Sequence, residues 1–383
     1  MESSSLSAPT PWPDLNEAER GAVRDVLIRG PRSRAEMARK LGLSKTSLTR
    51  VTRRLVEVGL LTEGQVELRG WTGRPSELMH VELDSRHFFG VKLTGDALFW
   101  VVTDLGARVL ESGNQPLEER AVESVLDQVA RVYRALEARY PTLTAAGLCI
   151  AGDISLVSGR QMVLNSPFLG WREVPVADLL SERLGIAVTV ENDVRALTAA
   201  ELWFGAGAGC ESLALITVGA GVGFGFVSSG RLIEGHRGGA GRLDHLPIDP
   251  SGPICKLGHR GCASGFLPNQ AIVDALRMHG VDYAAAVGLA REGYPAAVRA
   301  FGDAGHALGI LIGTIANMLD PEKIVLTGDG LAVVELARSR LDAAIASVRV
   351  PQTAPTPLIV VPFEFEEWAR AGAVAGIRSV LVF

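Results

Sequence analysis

Between Arg29 and Arg54 the chain carries nine basic side chains: Arg29, Arg32, Arg34, Arg39, Lys40, Lys45, Arg50, Arg53 and Arg54, opposed there only by Glu36. The formal net charge of the whole chain is −5, so this block is a local exception in an acidic protein. A basic block at one end points to one anionic partner bound at that end. Short hydroxyls are interleaved with the cations, in the run Ser44, Lys45, Thr46, Ser47, Thr49, Arg50 and Arg53. Ammonium, guanidinium and hydroxyl groups are the donors that position phosphates and read base edges, so double-stranded DNA is the anion they suit.

The local signals around these residues describe how they are presented. Asn16 and Glu19 have capping-box spacing, and Val23, Val26 and Leu27 then recur at helical period, up to a stop at Gly30-Pro31. Ser33-Arg34-Ala35-Glu36 is a second capping box, opening a short helix through Met37, Ala38 and Leu41. Gly42 supplies a tight turn, and Ser44 caps a third helix with Leu48, Val51, Leu55 and Val58 on one apolar face, stopped by Gly59. Two short helices around a glycine turn, the second basic on its outer face, make a helix-turn-helix whose second helix enters the major groove. The alternative is a small helical bundle with a solvated basic face. Strand patterns at Leu60-Leu61-Thr62-Glu63 and Ser76–Val81 flank Gly73-Arg74-Pro75, a narrow tip that fits a β-wing. Arg74 there is placed to enter an A·T-rich minor groove.

A chain of 383 residues, 47% hydrophobic and 21% charged, has room for two or three domains with a sizeable core. Its apolar runs are broken well before the length of a membrane span. The polar start, MESSSLSAPTPWP, reads as a disordered tail and not as a signal peptide. Cys149, Cys210, Cys255 and Cys262 are too few and scattered for a disulfide framework, which points to a reduced, cytoplasmic protein.

The stretch SRAEMARKLGLSKTSLTRVTRRLVEVGLL followed by Gly-Arg-Pro is similar to the repressor branch of the ROK family, which contains bacterial repressors of sugar metabolism and sugar kinases. The similarity continues to the C-terminus. The resemblance implies an α/β fold, a winged helix-turn-helix followed by a two-lobed actin-like ATPase domain. The expected division is a tail at 1–13, a DNA-binding domain at 14–83 and a kinase-like sensor and oligomerisation domain at 84–383. It also implies a homodimer or homotetramer on operator DNA, usually as a repressor, with a sugar-derived effector.

Against the family's kinase motifs the chain departs at several places. Phe89–Asp96 and Leu98–Val102 read as strand, turn and strand, where kinases carry Asp-x-Gly-Gly-Thr; here Lys92 replaces the Asp and Thr94 the first Gly. A cation at a magnesium position opposes the metal, so neither ATP nor magnesium is expected. The second phosphate motif survives as Thr217-Val218-Gly219-Ala220-Gly221-Val222-Gly223-Phe224-Gly225, with Ala220 in place of Thr; alternating glycines suit an anion cradle or a tight hairpin. Asn317–Gly330 resembles the family's helix, strand and glycine turn near adenosine.

The family's catalytic Asp and its neighbouring sugar-binding Asn survive as Asp193 and Asn192, which alternatively serve only to cap the helix that follows. In Gly239-Ala240-Gly241-Arg242-Leu243-Asp244-His245, Arg242 replaces a Glu and Asp244 a Gly, while His245 is kept; Ser264 replaces another Glu. Losing carboxylates weakens binding of neutral sugars, and Arg242 leaves room for a sugar phosphate or sugar acid. Alternatively Arg242 closes the site on Asp193 or Asp244.

The family holds a zinc ion with a His and three Cys. Matching ligands here are His245, Cys255 and Cys262, with Leu257 at the middle thiolate and His259 as a spare ligand off the family's position. A metal-free loop with two thiols is the alternative. The expected function is an operator-binding regulator without kinase activity. An effector-independent regulator whose kinase-like domain only oligomerises is the second reading, and an active carbohydrate kinase the third.

Overall fold

The computed structural model describes residues 12–67, 76–236, 238–351 and 354–382. The chain divides into two compact units, one of Met1–Gly209 with Phe365–Phe383 and the other of Cys210–Glu364.

The first unit opens with α1 (Glu17–Arg29), β1 (Arg32–Ser33), α2 (Arg34–Leu41), α3 (Lys45–Glu57), β2 (Leu61–Glu67) and β3 (Ser76–Val81). Both capping boxes form. Asn16 Oδ1 accepts from Glu19 N–H at 3.0 Å while Glu19 accepts from Asn16 N–H at 2.9 Å. Ser33 and Glu36 repeat the exchange at 3.3 and 2.8 Å. Such a cap stabilises a helix by about 1 kcal/mol. Gly42 ends α2 in the left-handed region at φ 66°, which lets α3 start three residues later. Leu48, Val51 and Leu55 are buried as the periodicity predicts, but Thr52 joins them and Val58 is only half-buried. β1 pairs with β3 and β3 with β2, all antiparallel, giving the small sheet of a winged helix. The wing tip 73–75, with Arg74, lies outside the described residues.

This segment packs into the first unit. The Trp12 and Phe88 rings sit 6.3 Å apart, and Leu105 N–H donates to Leu83 O at 3.0 Å. Then follow β4 (His87–Leu93), β5 (Ala97–Thr103), β6 (Val109–Pro116), α4 (Val122–Glu137), β7 (Leu143–Ile150), a small antiparallel sheet of β8 (Asp153–Val157), β9 (Arg160–Ser166) and β10 (Trp171–Val174), then α5 (Val176–Leu184), β11 (Ala187–Asn192) and α6 (Asp193–Phe204). The main sheet runs β11-β7-β4-β5-β6, with β4, β7 and β11 parallel and β5 antiparallel to both neighbours. One face buries Phe89, Val91 and Leu93 against Val125, Val129 and Tyr133 of α4. Against the other face lies the C-terminal helix Phe365–Val382. Its backbone comes so close that a Cβ on Gly147 would stand 1.9 Å from Gly372 O.

The second unit repeats the strand plan. β12 (Leu213–Val218), β13 (Val222–Ser228), β14 (Arg231–Leu232), α7 (Asn269–Ala275), α8 (Tyr283–Arg291), α9 (Pro295–Leu319), β15 (Lys323–Thr327), α10 (Ala332–Leu336), α11 (Arg338–Val348) and β16 (Leu358–Val360) follow in order. The sheet runs β14-β13-β12-β15-β16, with β12, β15 and β16 parallel. The glycine run forms the β12–β13 hairpin, with Val218 opposite Val222 and Gly219 N–H donating to Gly221 O at 2.9 Å. The core is α9, whose Phe301, Leu308, Leu311 and Ile315 are fully buried under this sheet. A three-strand antiparallel meander extended by two parallel strands occurs in both units, which is the duplicated plan of an actin-like ATPase. Among the described residues no helix is long and apolar enough to cross a membrane.

Candidate nucleic-acid interface, cleft residues and metal loop

The α3 face is built by spacing. Lys45, Thr49 and Arg53 form one i, i+4 row and Thr46 and Arg50 the row beside it, all exposed and opposite the buried Leu48, Val51 and Leu55. Ser44 Oγ accepts from Ser47 N–H at 3.1 Å, and Thr49 Oγ1 donates to Lys45 O at 2.9 Å, so these hydroxyls are fixed at the start of the helix. Lys45, Arg50, Arg53 and Arg54 form no ion pair among the described residues.

The rest of the basic block divides differently from its reading as one charge patch. Arg34 donates to Thr52 Oγ1 at 3.1 Å and to Glu77 at 2.8 Å, and it pairs with Glu63. It ties α2 to α3 and both sheet strands together. Arg29 and Arg32 approach the buried Asp25 at 3.6 and 3.8 Å. These three arginines are structural, and the outward charge lies on α3 and, at Arg39 and Lys40, on the last turn of α2.

In the first unit the sugar-motif residues end up among internal partners. Lys92 stands near the end of β4, in register with Cys149 of β7, itself in register with Glu191 of β11. Lys92 is 4% exposed; its Nζ donates to Asp193 Oδ2 at 2.5 Å and lies 5.0 Å from the Trp368 ring centroid. Val194 N–H donates to the other Asp193 oxygen at 2.9 Å. Asn192 Oδ1 accepts from Arg195 N–H at 3.2 Å, and Nδ2 donates to Gly152 O at 3.0 Å. Glu191 pairs with Arg195 at 2.6 Å. Burial pushes the Cys149 thiol well up from its ordinary range, so it adds no charge here. Asp193 pairs with Lys92. Asn192 carries the helix-capping role that was its alternative. A carboxylate already paired with a buried ammonium is a poor base for a sugar hydroxyl.

In the second unit, His245, Cys255 and Cys262 converge, and His259 joins them. The four ligand atoms lie within 4.8 Å of one another. His245 Nδ1 is 3.7 Å from Cys255 Sγ, 3.5 Å from Cys262 Sγ and 3.1 Å from His259 Nδ1. Tetrahedral zinc with ordinary Zn–N and Zn–S bonds separates its ligands by roughly 3.3–3.8 Å, so the donor set fits the ion in chemistry and spacing. A tight turn does the positioning: Cys255 N–H donates to His259 O and Gly258 N–H to Cys255 O, both at 2.9 Å. That turn brings His259 back over Cys255 while Leu257, at the family's thiolate position, points out at 69% exposure.

Burial pushes the Cys255 thiol up, but the N–H groups of Leu257 and His259 outweigh it and leave it below its ordinary value; burial and Cys255 itself raise Cys262. His245 Nε2 lies 3.1 Å from Asp244 Oδ2. A carboxylate behind a ligating imidazole fixes its tautomer and leaves Nδ1 for the metal. Asp244, in the sequence a replaced glycine or a partner for Arg242, stands beside the His245 imidazole; its place next to His245 in the chain is the available signal. With Nδ1 in the cluster and Nε2 on Asp244, His245 faces the metal loop. Arg242 and His245 belong to the second unit, Asn192 and Asp193 to the first.

A winged helix-turn-helix joined to duplicated actin-like lobes defines a regulator architecture derived from a sugar-kinase fold. Residues 88–376 match the ROK family, and the chain belongs to it. It is 27% identical over 370 residues to the DNA-binding transcriptional dual regulator NagC of Escherichia coli (strain K12), covering 92% of this chain and 90% of that one. Among solved structures, a ROK family transcriptional regulator, homolog of the E. coli MLC protein, matches at TM-score 0.81 and 24% identity, covering 95% and 96% of the two chains. The ROK hexokinase from Thermus thermophilus matches at TM-score 0.66 and 27% identity, over 77% of this chain and 99% of its own. The regulator match covers 95% of this chain and the hexokinase match 77%.

Proposed function

We propose that this chain is a cytoplasmic, DNA-binding transcriptional regulator of ROK type, repressing in mode and without kinase activity. The observation that carries the reading is the exposed α3 face, with Lys45, Arg50 and Arg53 unpaired among the described residues on a helix capped by Ser44. Residues 14–83 form the DNA-binding part. Ser44, Lys45, Thr46, Ser47 and Thr49 meet base edges and phosphates in the major groove, Arg50 and Arg53 hold phosphates, and Arg74 enters the adjacent minor groove. Residues 84–383 sense and oligomerise. A two-fold homodimer, alone or doubled to a tetramer, presents two such helices to half-sites about one helical turn apart.

Zinc held by His245, Cys255, His259 and Cys262 orders the loop that carries Arg242. An effector of sugar type presents an acid or phosphate group to Arg242. The Lys92–Asp193 pair and the cap made by Asn192 favour a second reading, in which no effector binds and the kinase-like part only assembles the oligomer.

The test is selection of bound duplexes from a random library at low ionic strength, then titration of the selected site against a panel of neutral sugars, sugar acids and sugar phosphates. Binding to a two-fold or repeated site supports the regulator, and no duplex binding overturns it. A ligand that shifts operator affinity must itself bind with affinity shifted equally by operator, because coupling is reciprocal. Equal affinity across the panel selects the second reading. ADP release from ATP with magnesium and any hexose overturns the absence of kinase activity.

A further inference from the structure

In the second unit three segments meet at the glycine hairpin. Gly330 N–H donates to Val218 O at 2.9 Å, and Asn269 N–H, at the start of α7, donates to Gly219 O at 2.8 Å. Gly328, at φ 115°, lets the loop after β15 press on the end of β12; a Cβ there would stand 2.2 Å from Val218 O. The residue this loop delivers is Asp329. Its carboxylate lies directly over Gly219, so that a Cβ on Gly219 would be 1.7 Å from Asp329 Oδ1. Asp329 Oδ2 accepts from Asn269 Nδ2 at 3.1 Å, and the backbone N–H groups of Ala220 and of Asp329 itself lie close enough to favour its charged form. Its side chain is open to solvent on one side, yet protein packed around the other is the leading cause holding its carboxyl above the ordinary carboxylate value, against those donors.

Every one of these groups is neutral, and the Ala220 N–H is presented by the glycine hairpin. That is how glycine loops hold a phosphate oxygen. The three atoms nearest to the missing side chain of Gly219 all belong to Asp329.

We infer that Asp329 is the specificity residue of this loop: its carboxylate takes the seat of a phosphoryl oxygen, and the loop thereby rejects nucleotide and phosphate anions. A bound carboxylate repels a second anion a few ångströms away, and it also uses the N–H donors that anion needs. The inference goes beyond the DNA-binding reading and does not depend on it, since no DNA enters its test.

The experiment uses the full chain as wild type, Asp329→Gly, Gly219→Ala and the double variant. Calorimetric titration with ADP, without divalent metal, gives background heat for wild type and binding at least about tenfold tighter for Asp329→Gly. Inorganic phosphate competes with that ADP. Thermal unfolding supplies the second reading, which needs no ligand. Gly219→Ala lowers the midpoint in the wild-type background and costs much less in the Asp329→Gly background, because the three atoms nearest its methyl are gone. Equal ADP affinity for wild type and Asp329→Gly overturns the inference, as does ADP binding that phosphate does not compete with. So does a Gly219→Ala penalty of the same size in both backgrounds.

Discussion

Replacing Lys92 by Met tests whether the end of β4 and the start of α6 are held together by a buried charge pair. Met keeps much of the apolar stem and its contact with Trp368 while removing the ammonium. Asp193 then keeps one hydrogen bond, from Val194 N–H at 2.9 Å, and loses its ion partner. Breaking one side of a buried pair costs about 3–5 kcal/mol. The Asp193 side chain retains 12% exposure, so the lower end applies, about 3 kcal/mol. For a unit of this size that is a fall in midpoint of roughly 6–12 °C. Asp193→Asn alone leaves the ammonium buried and costs somewhat less, because the amide oxygen still accepts from it. The double variant Lys92→Met/Asp193→Asn contains no buried charge at this place and recovers most of the loss, with a coupling of about 2 kcal/mol. Urea unfolding followed by tryptophan fluorescence reads all four proteins. Single losses below about 1 kcal/mol that simply add in the double variant would describe a solvent-screened pair and refute the buried one.

Three further outcomes follow from the same geometry. Arg50→Ala and Arg53→Ala each weaken operator binding and each reduce the slope of log affinity against log salt by about 1, measured by anisotropy across a salt series; an unchanged slope removes these residues from the phosphate contacts. Elemental analysis of the purified chain gives about one zinc per chain, and a strong chelator lowers the unfolding midpoint. His259→Ala loses the metal, and Leu257→Cys does not; metal retained at full stoichiometry in His259→Ala shows that this imidazole is not a ligand. Gly147→Ala costs about 3 kcal/mol or more, since its methyl would enter the backbone of the C-terminal helix. Gly221→Ala, with nothing within 4 Å, stays within about 0.5 kcal/mol in the same melt.

What was legible in the sequence is what is decided within a few residues. Asn16, Ser33 and Ser44 announce helix starts because a cap reaches only three residues ahead, and all three make the bond expected of them. The outward face of α3 follows from its period. Partners distant along the chain were not legible. Lys92 and Asp193 are 101 residues apart and meet only because β4, β7 and β11 lie in parallel register. Arg34 counts as one more cation of the basic block in the sequence; only the sheet brings Glu63 and Glu77 to it. β1, two residues long, has no period to read. His259 was only a spare ligand in the sequence; the Cys255–His259 turn is what makes it a fourth donor.

The departures from the kinase pattern share a physical logic. A kinase must bind its metal and phosphates reversibly, so those positions are built to be filled from solution and emptied again. Here Lys92 puts a tethered positive charge beside Asp193, and Asp329 a tethered negative charge over the glycine hairpin. A tethered group gives up far less translational freedom than a free ion on reaching the same seat, so modest contacts keep it there. The result is order without ligand, at positions where a ligand would otherwise supply it. The metal loop moves in the opposite direction. Leu257 removes a thiolate, yet His259 restores a four-donor cluster. The distinction is thermodynamic: an ion that stays for the life of the fold contributes its binding free energy to folding, whereas a substrate ion must leave. A fold that serves to hold DNA-reading helices in place gains from the first kind of ion and has no use for the second. Of the three places, only the metal loop should therefore respond to a chelator with a lower melting temperature. Adding ATP and magnesium to the wild-type protein should leave the unfolding midpoint where it was.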